Sequence, residues 1–233
     1  MPAFALAWAQ DADAIECDVR MSRDGQIVCI HDDTTRRVSG VHLVISESTF
    51  DDLRELDVGA WRGKQYRGTT IPTLSEVVTT VPNGRQIFIE IKSDTAIVPR
   101  LLEEIARAGL QEEQVTVISF NTDVLRSMRR VAPQFRTLWL SSFKDEGSGT
   151  GAPSLETVRR TLKDIGADGI SSGKDNVGES FIRSIMAEGY EYHVWTVDDP
   201  ETARRFKKWG AMSITTNVPG DMRQELVGTP PGV

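Results

Sequence analysis

The chain has 233 residues, 39% of them hydrophobic, and carries a formal net charge of −7. That is enough apolar material for a substantial core, and the acidic balance argues against a nucleic-acid surface, because phosphate backbones select for Lys and Arg. No apolar run approaches the roughly 20 residues that cross a bilayer, and no linker or low-complexity tract divides the sequence, so one domain over 1–233 without membrane insertion is expected.

The opening residues, MPAFALAWAQDAD, read as a helix with no capping residue ahead of it. IECDVRMSRDGQIVCIHDD, 15–33, follows. Strand alternation puts Glu16, Asp18 and Arg20 on one face and Ile15, Cys17 and Val19 on the other. Cys17 and Cys29 read as small buried apolar residues, which suits a reducing compartment. No signal peptide is visible, so the cytoplasm is the expected location. The segment at about 34–72 reads as a hairpin-like, partly helical insertion, with Trp61 and Tyr66 as packing residues and His42 as incidental.

From Thr73 onward the chain repeats one rhythm of amphipathic helix, glycine, a few polar residues and a short apolar strand. Thr73 with Glu76 forms a capping-box pattern, Ser154 can cap the helix after it, and Asp199 precedes Pro200 at a first helical position. Gly109, Gly166, Gly189 and Gly210 fall where helices need a left-handed terminating residue. Strands are predicted at 14–20, 86–92, 114–120, 136–141, 168–172, 191–197 and 212–216. Alternation of this kind means a parallel α/β sheet. Seven strands suit an open doubly wound sheet and fall one short of a (β/α)₈ barrel. SSFKDEGSGTGAPS, 141–154, reads as an ordinary flexible loop without the spacing of a phosphate-binding loop. The clusters Arg126, Arg129, Arg130 and Arg204, Arg205, Lys207, Lys208 read as solvated helix faces.

The strand QIFIEIK repeats the device of the first, with Phe88, Glu90 and Lys92 on one face and Ile87, Ile89 and Ile91 on the other. Three converging carboxylates repel one another unless a cation joins them, and an all-oxygen set favours Mg²⁺ or Ca²⁺ over zinc. A set of paired ions, with Lys92 and Arg20 neutralising the acids, accounts for the same pattern, and both readings stay open. His31 stands behind the acids with Asp32 and Asp33 beside it, placed either as a general acid or base or as a hydrogen-bonded surface residue. His193 lies two residues deeper than Trp195 on its strand and reads as core. Cys17 points away from the acids, which argues against a thiol nucleophile.

IECDVRMSRDGQIVCIHDDTTRRVSG resembles the signature of glycerophosphodiester phosphodiesterases: Glu-x-Asp, an Asp-Gly turn at Asp24 and Gly25, then His-Asp. The similarity continues through IPTLSEVV, IEIK, VISFN and VWTVDDPETARRFKKWGAMSITTNVP, nearly the whole chain. The resemblance implies a (β/α)₈ TIM barrel with a small insertion after its second strand, and metal-dependent cleavage of glycerophosphodiesters to glycerol 3-phosphate and an alcohol. It implies Glu16, Asp18 and Glu90 as ligands of a divalent metal, His31 as one of two catalytic histidines, and Lys92 as the cation facing the phosphate. Phe120 and Trp195 are implied as walls of the substrate pocket. One departure stands out: the His-Arg-Gly strand with which the family begins is absent, so the chain is expected to start inside the first helix and to lack the first strand. Met1 is then expected to be an internal methionine of a longer natural protein. If the chain is truly that short, a homodimer would cover its open strand edges. A catalytically weak metal- and phosphodiester-binding barrel and a phospholipase-type phosphodiesterase are the alternatives.

Overall fold

A computed structural model of the chain describes residues 1–143 and 153–227; most of the glycine- and serine-rich loop lies outside the described residues. The residues group into two compact units, Met1–Leu6 with Asp13–Val117 and Ala7–Ala12 with Ile118–Val233. The opening helix spans Pro2–Ala9, as its composition predicts. No helix among the described residues is long and apolar enough to cross a membrane.

In the first unit, β1 (Ala14–Met21), β2 (Ile27–Cys29), β3 (Gln86–Ile91) and the start of β4 (Val115–Ser119) lie in the order β2–β1–β3–β4. β1 and β3 are parallel, with Glu16 opposite Phe88 and Asp18 opposite Glu90. Ile15, Cys17 and Val19 on β1 and Ile87, Ile89 and Ile91 on β3 are all buried. The predicted alternation therefore holds, and the acids share the opposite face. β2, over the short apolar run ahead of His31, stands outside the seven predicted strands. It is antiparallel, with Val19 opposite Cys29, and returns through a tight turn at Gly25, whose φ of 82° suits glycine. Three residues are too few to show alternation.

The insertion holds β2 in place. Ile45, Leu53 and Ile71 bury themselves with Val28 and Ile30 in a small satellite core. Helices Arg36–Ser39 and Phe50–Arg54 are one turn each, the second started by a Thr49–Asp52 capping box. Trp61 departs from the packing expectation: it is 53% exposed, with the Arg37 guanidinium 5.7 Å above its ring and its Nε1 donating to Val58 O. A surface cation shields the ring face in place of a hydrophobic neighbour. Thr73 and Glu76 form the predicted capping box of helix Leu74–Val78, and Arg54 grips Glu76 through two 2.7 Å bonds.

In the second unit, β5 (Arg136–Ser141), β6 (Gly169–Gly173), β7 (Glu191–Trp195) and β8 (Ser213–Ile214) follow in that order, and successive neighbours are parallel. Helices Leu155–Ile165, Glu179–Met186 and Pro200–Trp209 alternate with them, the first capped by Ser154 and the last by Asp199. Val158, Leu162, Ile182, Tyr192 and Phe206 are among the buried side chains that form the core between strands and helices. β6 and β7 touch closely at Gly169, where a Cβ would come within 2.2 Å of the Glu191 carbonyl oxygen. His193 is buried as expected, with Nδ1 2.7 Å from Ser213 Oγ and Nε2 3.1 Å from Glu191 Oε2.

Candidate active site

Parallel pairing of β1 with β3 places Glu16, Asp18 and Glu90 on one face, where one carboxylate oxygen of each lies within 4.8 Å of the others. Two devices in the sequence produce this. The alternating Ile, Cys and Val residues commit the reverse face to the core, and the register sets Asp18 against Glu90. Lys92, one residue beyond β3, reaches back into the cluster, with Nζ 2.7 Å from Glu90 Oε1 and 3.3 Å from Asp18 Oδ1.

Burial drives the electrostatics of this face. It pushes the Glu16 carboxyl well above the usual carboxylate range, the charges of Asp18 and Glu90 push it further, and Lys92 only partly opposes them. Glu90 is also raised by burial, against the pull of Lys92. For Lys92 burial works against the charged form, but its bonds to Glu90 and then Asp18 outweigh it, and the ammonium stays charged. Lys92 is thus bonded to two of the three carboxylates, and Glu16 Oε1 is buried with no hydrogen-bond partner among the described residues. Arg20, the second cation of the paired-ion reading, turns elsewhere: its Nε and Nη2 donate to the His31 carbonyl at 3.1 and 3.0 Å. An unsatisfied, oxygen-only set of this kind fits a hard divalent cation.

His31 follows β2, and its imidazole is 63% exposed. Nδ1 lies 2.8 Å from Asp32 Oδ1. A carboxylate only accepts, so this contact assigns the proton to Nδ1 and leaves Nε2 as the working atom. Asp32 is held in turn by Arg37, through Nε at 2.6 Å and Nη2 at 3.1 Å. Those bonds, Arg37 first, bring the Asp32 carboxyl down to about 2, so the group that orients the ring is ionised across the neutral range.

In the second unit, Phe120 follows β4 and Trp195 ends β7. Their rings meet edge to face at a centroid distance of 5.9 Å. Phe120 is 47% exposed, and Trp195 is fixed by its Nε1 bond to Ser171 O. Such a pre-arranged aromatic pair, with Phe120 exposed and Trp195 partly so, offers an apolar contact to a small molecule.

The sequence profile of the Glycerophosphoryl diester phosphodiesterase family matches residues 1–221. The chain belongs to that family. A glycerophosphodiester phosphodiesterase of Caldanaerobacter subterraneus subsp. tengcongensis is 29% identical over 221 residues, covering 93% of this chain and 87% of the relative. One of Bacillus subtilis is 28% identical over 234 residues, covering 93% and 77%. Among solved structures, an Oleispira antarctica phosphodiesterase in complex with the product sn-glycerol-3-phosphate superposes with a TM-score of 0.85 at 22% identity, covering 96% of this chain and 89% of that one. The glycerophosphodiester phosphodiesterase of Thermotoga maritima gives 0.75 at 25% identity, with 96% and 89% covered.

The fold is accordingly the α/β, (β/α)₈ TIM-barrel class expected from the resemblance. Within this phosphodiesterase family member, the acids, Lys92 and His31 all fall in the first unit. Sequence reasoning missed the roles of Arg37 and Arg20. Asp32 precedes the single-turn helix Arg36–Ser39 and Arg37 lies inside it, five positions on, a spacing with no periodic signal. Arg20 shares the face of Glu16 and Asp18, but nothing in the sequence says that its donors meet carbonyls instead of carboxylates.

Proposed function

We propose that this chain hydrolyses glycerophosphodiesters to glycerol 3-phosphate and an alcohol. The observation that carries the reading is the buried carboxylate face with its orphaned Glu16 oxygen, set beside a histidine whose tautomer Asp32 defines. Glu16, Asp18 and Glu90 would hold a divalent ion, Mg²⁺ or Ca²⁺, which when bound supplies Lewis-acid polarisation of phosphoryl oxygens. The chain's own groups do the rest. Lys92 keeps its charge and lies against two of the acids, so it is the cation available to offset negative charge developing on phosphorus. His31 Nε2 serves as general acid or base on one side of the reaction, taking a proton from the attacking oxygen or giving one to the alcohol oxygen as its bond to phosphorus breaks, and Asp32 stabilises the imidazolium form. Phe120 and Trp195 serve as substrate-contacting aromatics. The product complex of the Oleispira antarctica phosphodiesterase supports a small-molecule substrate of this class. The two free cysteines agree with action in a reducing, cytoplasmic setting.

The test is release of glycerol 3-phosphate from glycerophosphocholine, with Mg²⁺ or Ca²⁺ and with a chelator. Metal-dependent release is expected. A folded chain that binds metal and substrate analogue but forms no product would overturn hydrolysis and leave a binding protein.

A further inference from the structure

Arg20 is a cation on an acid-bearing face that makes its hydrogen bonds to backbone. Nε and Nη2 converge on the single carbonyl of His31 at 3.1 and 3.0 Å, and Nη1 reaches the carbonyl of Lys92 at 3.5 Å. These carbonyls belong to the two residues to which proton transfer and phosphate charge are assigned above. The His31 ring is 63% exposed, so packing does little to locate it, and Asp32 sets its rotation but, as the adjacent residue, moves with it. Its position depends on its backbone, which leaves the sheet immediately after the bond from Ile30 N to Asp18 O at 3.0 Å. Beyond that bond, the Arg20 fork is what ties residue 31 to β1 among the described residues. Lys92 is in a similar position: its N–H bonds to Val19 O at 3.1 Å, one step past the last paired residue of β3, and its carbonyl meets the same guanidinium.

We infer that Arg20 is a positioning residue for the reaction, a planar clamp that fixes the backbone of His31 relative to that of Lys92. The inference rests on His31 as the proton-transferring group. Arginine suits the task because its fork presents two parallel donors to one acceptor and a third to another, a geometry that an ammonium cannot reproduce. Displacement of a catalytic group by even about 1 Å can cost on the order of 10²-fold in rate, so the clamp should act on turnover more than on binding.

The experiment compares Arg20→Met and Arg20→Lys in the full chain, alone and in a His31→Ala background, using glycerophosphocholine hydrolysis. Histidine ¹⁵N spectra report the surroundings of the His31 ring without reference to activity. Arg20→Met should lower kcat by about 10²-fold with KM within about threefold, and Arg20→Lys should not restore it. In the His31→Ala background the same change should cost less than about twofold, because residues acting as a unit are non-additive. The ring ¹⁵N shifts of His31 should move in Arg20→Met as its backbone is released, while Asp32 keeps the proton on Nδ1. A folded Arg20→Met protein with wild-type kcat, or one whose full loss recurs without His31, would overturn the clamp. Wild-type turnover in His31→Ala would instead overturn the role of His31, and the spectra would then judge the clamp alone: unchanged His31 ring ¹⁵N shifts in Arg20→Met refute it.

Discussion

Replacing Lys92 by Met removes the cation shared by Glu90 and Asp18, at 2.7 and 3.3 Å, from a site where the Lys92 and Glu90 side chains are only 15% and 12% exposed. Leaving a buried charge unpaired costs about 3–5 kcal/mol. Protonation limits that cost, since the orphaned carboxylate can take up a proton instead. Bringing a glutamic acid of pKa about 4.3 to its neutral form costs about 3.7 kcal/mol at about pH 7 and about 1 kcal/mol at about pH 5. The destabilisation by Lys92→Met in chelator-treated protein should therefore shrink from about 3–4 to about 1 kcal/mol between those two conditions. The wild-type protein sets the background slope. Burial raises Glu16 and Glu90, so the folded state binds more protons than the unfolded chain, and their contribution to stability falls as pH rises through their folded pKa values. Urea denaturation at both pH values gives the comparison directly. A difference under about 1 kcal/mol at neutral pH, or one independent of pH, would refute the view that Lys92 offsets the charge of this carboxylate cluster.

Asp18→Asn should weaken divalent-ion binding in calorimetry by at least about 10-fold and lower turnover with it; wild-type activity at saturating metal would remove Asp18 from the ligand set. Phe120→Ala deletes an edge-to-face contact worth about 0.5–1.5 kcal/mol. If that ring also contacts substrate, KM for glycerophosphocholine should rise by roughly 2- to 12-fold with kcat nearly constant, and an unchanged KM would exclude the contact. Gly169→Ala forces a methyl to within 2.2 Å of a β7 carbonyl, so it should destabilise the fold by about 1–3 kcal/mol, visible as a lower Tm. An unaltered Tm would mean that β6 and β7 are not held that closely.

The site is legible in the sequence wherever strand periodicity carries it. Alternation in AIECDVRM and QIFIEI assigns the acids to one face, because an isoleucine-rich face can only turn toward a core. Capping at Thr73, Ser154 and Asp199 is equally readable, since it depends on residues within one helical turn. β2 escapes because it has only three residues. Trp61 defies the packing expectation because an aromatic side chain does not reveal whether its ring will meet a hydrophobic neighbour or an arginine.

By itself the sequence determined which residues share a strand face, where helices begin and end, and, through its ordered motifs, the family. Each of these depends on neighbours a few positions apart in the chain. Only the tertiary structure decided what the cations do. Lys92 bonds to Asp18, 74 positions away in sequence, and its backbone meets Arg20, 72 positions away, through the register of β1 with β3. Charge type is local, but the choice of partner depends on pairing between distant segments, and a long flexible side chain takes whichever acceptor that pairing brings within its reach.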